Sequence, residues 1–230
     1  MHDTTIRPHV IERVMARRGR LHIFERFDPA RTALVVIDMQ NSFVAPGSPV
    51  EVPAARGIVE TINRLAAGVR AAGGRVIWVR HVNEALPGGT DWAGFYDRFL
   101  SDEMRTRTVR GLAEDTAGRD LWPGMTPAEG DIHLTKNRYS ALIAGSSALE
   151  RVLRSLGVDV LLIAGTKTNI CCESTARDAM MLDFGVVMVA DGNAALSDDE
   201  HRAALETVIQ NFGDVMTADE VLARLGPRAG

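Results

Sequence analysis

Five consecutive apolar residues, Ala33-Leu34-Val35-Val36-Ile37, stop abruptly at Asp38. An apolar run without alternation reads as a strand buried on both faces, the mark of a parallel sheet covered by helices. Comparable strands are expected at 76–79, 158–164 and 186–190, with shorter ones at 132–134 and 215–216. Helical spacing is expected at 54–72, 146–156, 170–184, 198–212 and 218–225, with Gly73-Gly74, Gly157 and Gly185 placed to stop three of these helices. Asp198 and Asp199 open the fourth, where negative charge suits the helix dipole. Strands alternating with helices require right-handed crossovers. The expected fold is therefore α/β: a three-layer α/β/α, Rossmann-like domain with a central, mostly parallel sheet of about six strands.

The 230 residues suit one such domain, placed here at 31–230, preceded by an arm at 1–30. The arm is rich in Arg and lacks a clear period. A short helix is expected at 10–17, on an arm that is either solvated or packed on a neighbouring subunit. The segment 81–130 interrupts the alternation with Pro87-Gly88-Gly89, Gly94, Gly111, Gly118, Pro123-Gly124 and Pro127. A connection that long is functional or carries small helices of its own. One helix is expected near 92–100, with Trp92, Phe95 and Tyr96 forming a packed face or a lid.

Composition narrows the class of partner. A formal net charge of −4 speaks against a dedicated nucleic-acid binder. No apolar run approaches the ~20 residues of a membrane span, and the polar N-terminus lacks a secretory core, so neither membrane nor export is expected. The two cysteines, Cys171 and Cys172, are adjacent and cannot form a long-range disulfide framework. Their usage fits a cytoplasmic protein. The six histidines are scattered, without metal-binding spacing, so no metal and no cofactor are expected.

In open α/β sheets, sites gather at the carboxyl ends of strands. Asp38 ends the first strand. Lys136 follows the strand at 132–134. Cys171 follows the strand at 158–164 and the turn Gly165-Thr166-Lys167-Thr168-Asn169, where a helix begins. Each has a plainer reading: a loop cap, a surface charge, a buried small hydrophobe. Together they make a coherent set. A helix N-terminus and an ammonium favour a thiolate. A carboxylate can accept the thiol proton and return it to a leaving amine. Backbone N–H groups before the helix can hold an oxyanion.

Three ordered strings carry a family resemblance. Ala33 through Phe43, Thr135-Lys136-Asn137-Arg138-Tyr139-Ser140-Ala141-Leu142, and Gly165 through Ala179 resemble the signatures of the isochorismatase-like cysteine hydrolases over roughly residues 30–226. The resemblance implies Asp38 as general base, Lys136 as the cation that steadies the thiolate, and Cys171 as nucleophile. It also implies a cis Thr166–Lys167 peptide, with the N–H groups of Lys167 and Cys171 as oxyanion donors. Cys172 falls where the family often has Val and is read as packing. Relatives are dimers or tetramers, so a homodimer or homotetramer is implied.

Departures from the family pattern narrow the reaction. True isochorismatases lack the cysteine. Nicotinamidases carry an Asp and His metal set after the second strand, which Arg80-His81-Val82-Asn83-Glu84-Ala85-Leu86-Pro87 does not reproduce. The strings around Tyr139 and Cys171 are most similar to the ureide-cleaving branch, which includes ureidoacrylate amidohydrolase, N-carbamoylsarcosine amidase and biuret-type hydrolases. The expected partner is thus a small amide or ureide, cleaved through an acyl-thiolate with release of ammonia. A nicotinamidase-like carboxamidase and a non-catalytic binding relative are the alternatives. Asn41, His81, Asn83 and Tyr139 are candidate substrate contacts. Lys167 stands where a small residue is usual; it faces solvent or a subunit, or recognises an acidic substrate.

Overall fold

The computed structural model describes residues 2–87, 89–113 and 116–226. In chain order its strands are β1 Thr32–Ile37, β2 Arg75–His81, the short pair β3 Ala85–Leu86 and β4 Gly89–Thr90, β5 Ile132–Lys136, β6 Val160–Thr166, β7 Gly185–Ala194 and β8 Asp214–Met216. Six of them form one sheet in the order β5-β2-β1-β6-β7-β8, with every neighbouring pair parallel. The chain starts in the middle of the sheet, builds outward to β5, then crosses back to lay β6 on the other side of β1. The switch between β1 and β6 opens a crevice at their carboxyl ends.

The helices are α1 Pro8–Arg18, α2 Asn41–Val44, α3 Val59–Ala71, α4 Ala93–Phe99, α5 Asp102–Gly111, α6 Leu149–Ser155, α7 Glu173–Met181, α8 Asp198–Asn211 and α9 Ala218–Arg224. All six residues of β1 are buried, as its unbroken apolar run requires. Its alternate side chains serve two cores. Val35 and Ile37 join Ile77, Val79 and Ile163 against α1, α6, α7 and α8. Leu34 and Val36 join Trp78 and Leu162 against α3 and α9.

The first thirty residues pack on their own chain. Val10 and Val14 of α1 enter the core beside α8. The Arg7 guanidinium grips Glu206 of α8 with both ends of its fork. Arg17 donates to Gln210 O at 2.9 Å and Arg18 to Ile209 O at 3.2 Å. These carbonyls lie in the last turn of α8, where cations are favoured. The arm, expected to be solvated or packed on a neighbouring subunit, thus caps a helix of its own chain.

Two expected helices begin differently. The one at 54–72 opens as the tight turn Pro53–Ile58 before α3. The one at 170–184 opens as the wide turn Thr168–Cys172, which runs into α7. Helix α5 was not expected: most of its residues are polar and Thr108 alone of them is buried, so no apolar stripe announces it.

Candidate active site

Three strand ends converge on the crevice. Asp38 leaves β1 with φ 56°, a left-handed turn that Asp tolerates better than most residues, while its N–H donates to Val79 O at 2.9 Å. Gly165, near the end of β6, has φ 122°, and a Cβ there would sit 2.0 Å from Ile37 O. Only glycine lets β6 approach β1 this closely just before Asp38. The Thr166–Lys167 peptide that follows is cis. The Lys167 carbonyl then accepts from the N–H groups of Ile170 and Cys172, both at 3.1 Å, and so closes the turn that carries Cys171.

Asp38, Lys136 and Cys171 meet there, all buried. Lys136 Nζ lies 2.9 Å from Asp38 Oδ2, 3.1 Å from His81 Nδ1 and 3.1 Å from Arg138 O. An ammonium has three N–H groups, and three acceptors surround this one. Asp38 and Lys136 both act electrostatically on the Cys171 thiol. Burial pushes the Asp38 carboxyl above its ordinary value, against the opposing pull of Lys136 and Cys171. Burial alone would lower Lys136, but Asp38 and Cys171 outweigh it and hold the ammonium above its ordinary value. Burial pushes Cys171 to about 12, with Lys136 opposing and Asp38 reinforcing. The helix start and the ammonium therefore do not by themselves produce a resting thiolate, contrary to the sequence argument. Desolvation of a sulfur anion outweighs both.

A cavity of about 90 Å3 reaches Cys171. Trp92, Phe95, Tyr96, Tyr139, His81 and Lys167 are among its walls. The Trp92 ring meets Tyr139 edge-on at 4.7 Å and Phe95 at 4.9 Å. The aromatic residues around α4 thus form the wall facing the sulfur. Burial pushes the Tyr139 phenol up to about 12, so it stays neutral and can donate. Lys167 has no ion-pair or hydrogen-bond partner for its ammonium among the described residues.

Other sequence candidates fall differently. Asn41 donates to Ala117 O at 2.8 Å and its N–H donates to Asp120 O at 2.9 Å. Its amide therefore ties the loop at 117–120 to α2. His81 and Asn83 are buried beside Lys136, but His81 Nε2 lies 3.1 Å from Asn83 Oδ1 and each is engaged by the other. Cys172 lies in the core with Cys171, and both thiols are free.

Gln40 is a residue that sequence reasoning missed. Its Oε1 accepts from His81 N at 2.6 Å, and its Nε2 donates to His81 O at 3.0 Å and Arg119 O at 3.1 Å. It stands in for a strand partner where β1 and β2 part. Phe43, Leu112 and Ile170 also line the cavity and were missed, because an apolar wall residue has the same sequence signature as a core residue. Among the described residues no group of three or more His, Cys, Asp or Glu side chains is arranged to hold a metal ion, and no helix is long and apolar enough to cross a membrane.

An aspartate, lysine and cysteine joined at the switch point of a parallel sheet define a class of fold and site, and comparison with known proteins gives the family. The isochorismatase domain model matches residues 32–220, and the chain belongs to the isochorismatase family. It is 33% identical over 215 residues to the ureidoacrylate amidohydrolase RutB of Klebsiella pneumoniae, covering 88% of this chain and 90% of that one. The enzyme of the same name from Caulobacter vibrioides is 32% identical over 220 residues, covering 88% and 94%. Among solved structures, a cysteine hydrolase from Pseudomonas syringae pv. phaseolicola superposes with a TM-score of 0.77 at 29% identity, covering 90% of this chain and 98% of that one.

Proposed function

We propose that this amidohydrolase cleaves a C–N bond of a small, carboxylate-bearing ureide, with Cys171 as nucleophile and Asp38 as the shuttling base. The observation that carries the reading is the burial of Cys171 within the electrostatic influence of Asp38 and the Lys136 ammonium, themselves 2.9 Å apart, at the wall of one cavity.

The thiol is protonated at rest, so attack requires Asp38 to take its proton as the sulfur bonds to the carbamoyl carbon. Lys136 remains charged throughout and offsets the sulfur anion as it forms. The carbonyl oxygen gains the negative charge, and the N–H groups of Lys167 and Cys171 receive it. When the C–N bond breaks, Asp38 returns the proton to the departing nitrogen. Water then adds to the acyl-thiolate, gives its proton to Asp38, and the sulfur leaves and is reprotonated. A terminal carbamoyl group leaves as carbamate and decays to carbon dioxide and ammonia. No step draws on a cofactor.

Two features support an acidic ureide. Relatives at 32–33% identity bear the name ureidoacrylate amidohydrolase. Lys167 is among the cavity walls and its ammonium has no partner among the described residues, which suits a carboxylate at the substrate's far end. The aromatic walls suit the planar ureide between them.

The test is ammonia release from ureidoacrylate, N-carbamoyl amino acids, biuret, triuret and nicotinamide, with the native chain, Cys171→Ala and Lys167→Met. Activity on the acidic ureides that disappears in Cys171→Ala supports the reading. A Lys167→Met variant with KM raised about tenfold for acidic ureides, and unchanged for biuret, supports the charge assignment. Activity confined to nicotinamide, or surviving in Cys171→Ala, overturns the proposal.

A further inference from the structure

His81 stands at the end of β2 with both ring nitrogens engaged inside the protein. Nδ1 lies 3.1 Å from Lys136 Nζ, and Nε2 lies 3.1 Å from Asn83 Oδ1. Lys136 has no lone pair to offer, so Nδ1 must be the acceptor and carry no proton. The Nε2–H then donates to Asn83 Oδ1, and one neutral tautomer satisfies both contacts. Gln40 clamps the His81 backbone on both sides, as N–H acceptor and carbonyl donor. The ring also faces Trp92, centroid to centroid at 6.3 Å.

We infer that His81 is a positioning residue for the reaction: as an obligate acceptor it holds one N–H of Lys136 and so keeps that ammonium on Asp38, beside Cys171. The inference rests on the role proposed for Cys171, but not on the identity of the substrate. Of the three acceptors on Lys136, Asp38 must change its protonation during the reaction and Arg138 O belongs to a loop. His81 alone is a neutral acceptor fixed on a sheet strand. Asn83 stands one step further back and selects the tautomer.

The groups that face the imidazole are consistent with a permanently neutral ring. Lys136 and Arg138 present positive charge from β5 and the segment after it; Asn83 and Trp92 are uncharged. Asp38 pairs with Lys136 at 2.9 Å. Burial first, then Lys136, holds the imidazole well below its ordinary range. A protonated ring would confront an ammonium with no acceptor for it.

The test reads Cys171 without substrate. Iodoacetamide alkylation of Cys171 is followed against pH in the native chain, His81→Leu, His81→Asn and His81→Gln, with the Tm of each and kcat and KM on an active ureide. An Asn oxygen can occupy the place of Nδ1, whereas a Gln oxygen reaches the place of Nε2. His81→Leu is expected to slow Cys171 alkylation about tenfold at any fixed pH below the thiol's own range, because the cation beside the sulfur is no longer held. It is expected to lower kcat about 10- to 100-fold with KM little changed. His81→Asn is expected to recover most of both, and His81→Gln little. If His81→Leu does not fold, the Asn and Gln variants decide between the outcomes on the same readouts. A raised KM with native kcat and a native alkylation profile would make His81 a substrate contact and overturn the inference. Equal behaviour of Asn and Gln would overturn it as well. Failure of the ureide reading shows separately, as silence of the native chain on the substrate panel.

Discussion

At the level of single residues, the proton inventory of the site decides how it works. A thiol pushed to about 12 and a carboxyl raised above its ordinary 3.8 leave a window in which the base is charged and the nucleophile still holds its proton. The sign follows directly. The proposed mechanism needs Asp38 ionised, so kcat/KM is expected to rise with pH through the Asp38 pKa, which is raised above that of a free aspartate. It should show no loss at alkaline pH from Cys171 ionising until far above neutrality. Asp38→Asn removes the base and also the negative charge that helps hold the thiol up. Its residual activity is expected to be at least about 100-fold lower near neutral pH and to climb continuously as pH rises, because thiolate then forms only by direct ionisation. A pH–rate profile of both proteins checks this; a parallel acid limb in the variant would assign that limb to another group.

The trio was legible in the sequence only as a set at or past strand ends, since each member alone has a plainer structural reading; the fold brings them together. The role of His81 was not. A lone histidine gives no sign of which nitrogen donates, and only the 3.1 Å contacts on both sides fix it. Asn41, likewise a plausible pocket residue by position, is taken by the carbonyl of Ala117, a residue 76 positions away.

At the level of elements, the strands were legible and the segment between β2 and β5 was not. Apolar runs name buried strands directly, but α5 exposes most of its surface and its sequence lacks the stripe that a core-facing helix needs. The wide turn Thr168–Cys172 was equally invisible, since hydrogen-bond spacing within a helix start leaves no composition signature. Two element contacts are open to test. Gly165→Ala would drive a Cβ into the Ile37 carbonyl at 2.0 Å. It is expected to cost at least about 2 kcal/mol in stability and to reduce kcat by separating β1 from β6, as read by thermal melting and turnover. A native melt would show that β6 can withdraw without harm. Val14 of α1 is buried at 3% exposure against the core. Val14→Ala is expected to cost about 2 kcal/mol. In a chain of this length that lowers Tm by about 4–8 °C. An unchanged Tm would mean that the first thirty residues do not pack on the domain.

At the level of the whole molecule, the order of the strands explains where chemistry sits. The reversal between β1 and β6 is the only place in the six-stranded sheet where two adjacent strands send their following segments apart, and the crevice it opens receives Asp38 from one and Cys171 from the other. Lys136 arrives from β5, two strands away, and its long side chain spans the gap left over β2, where His81 meets it. The N-terminal residues contribute to the same core and cap α8, so the domain extends beyond residues 32–220, the span shared with the family. His2 lies 2.6 Å from Asp198 and its ring stacks on His201, which in turn meets Thr168 at the start of the turn that carries Cys171. A covalent role for Cys171 is tested by mixing the enzyme with an acidic ureide, quenching in acid, and locating the adduct by peptide mass spectrometry. An acyl group on Cys171, absent in Asp38→Asn at equal time, is the expected result. An adduct on Cys172 instead, or native turnover by Cys171→Ala run alongside, would contradict it.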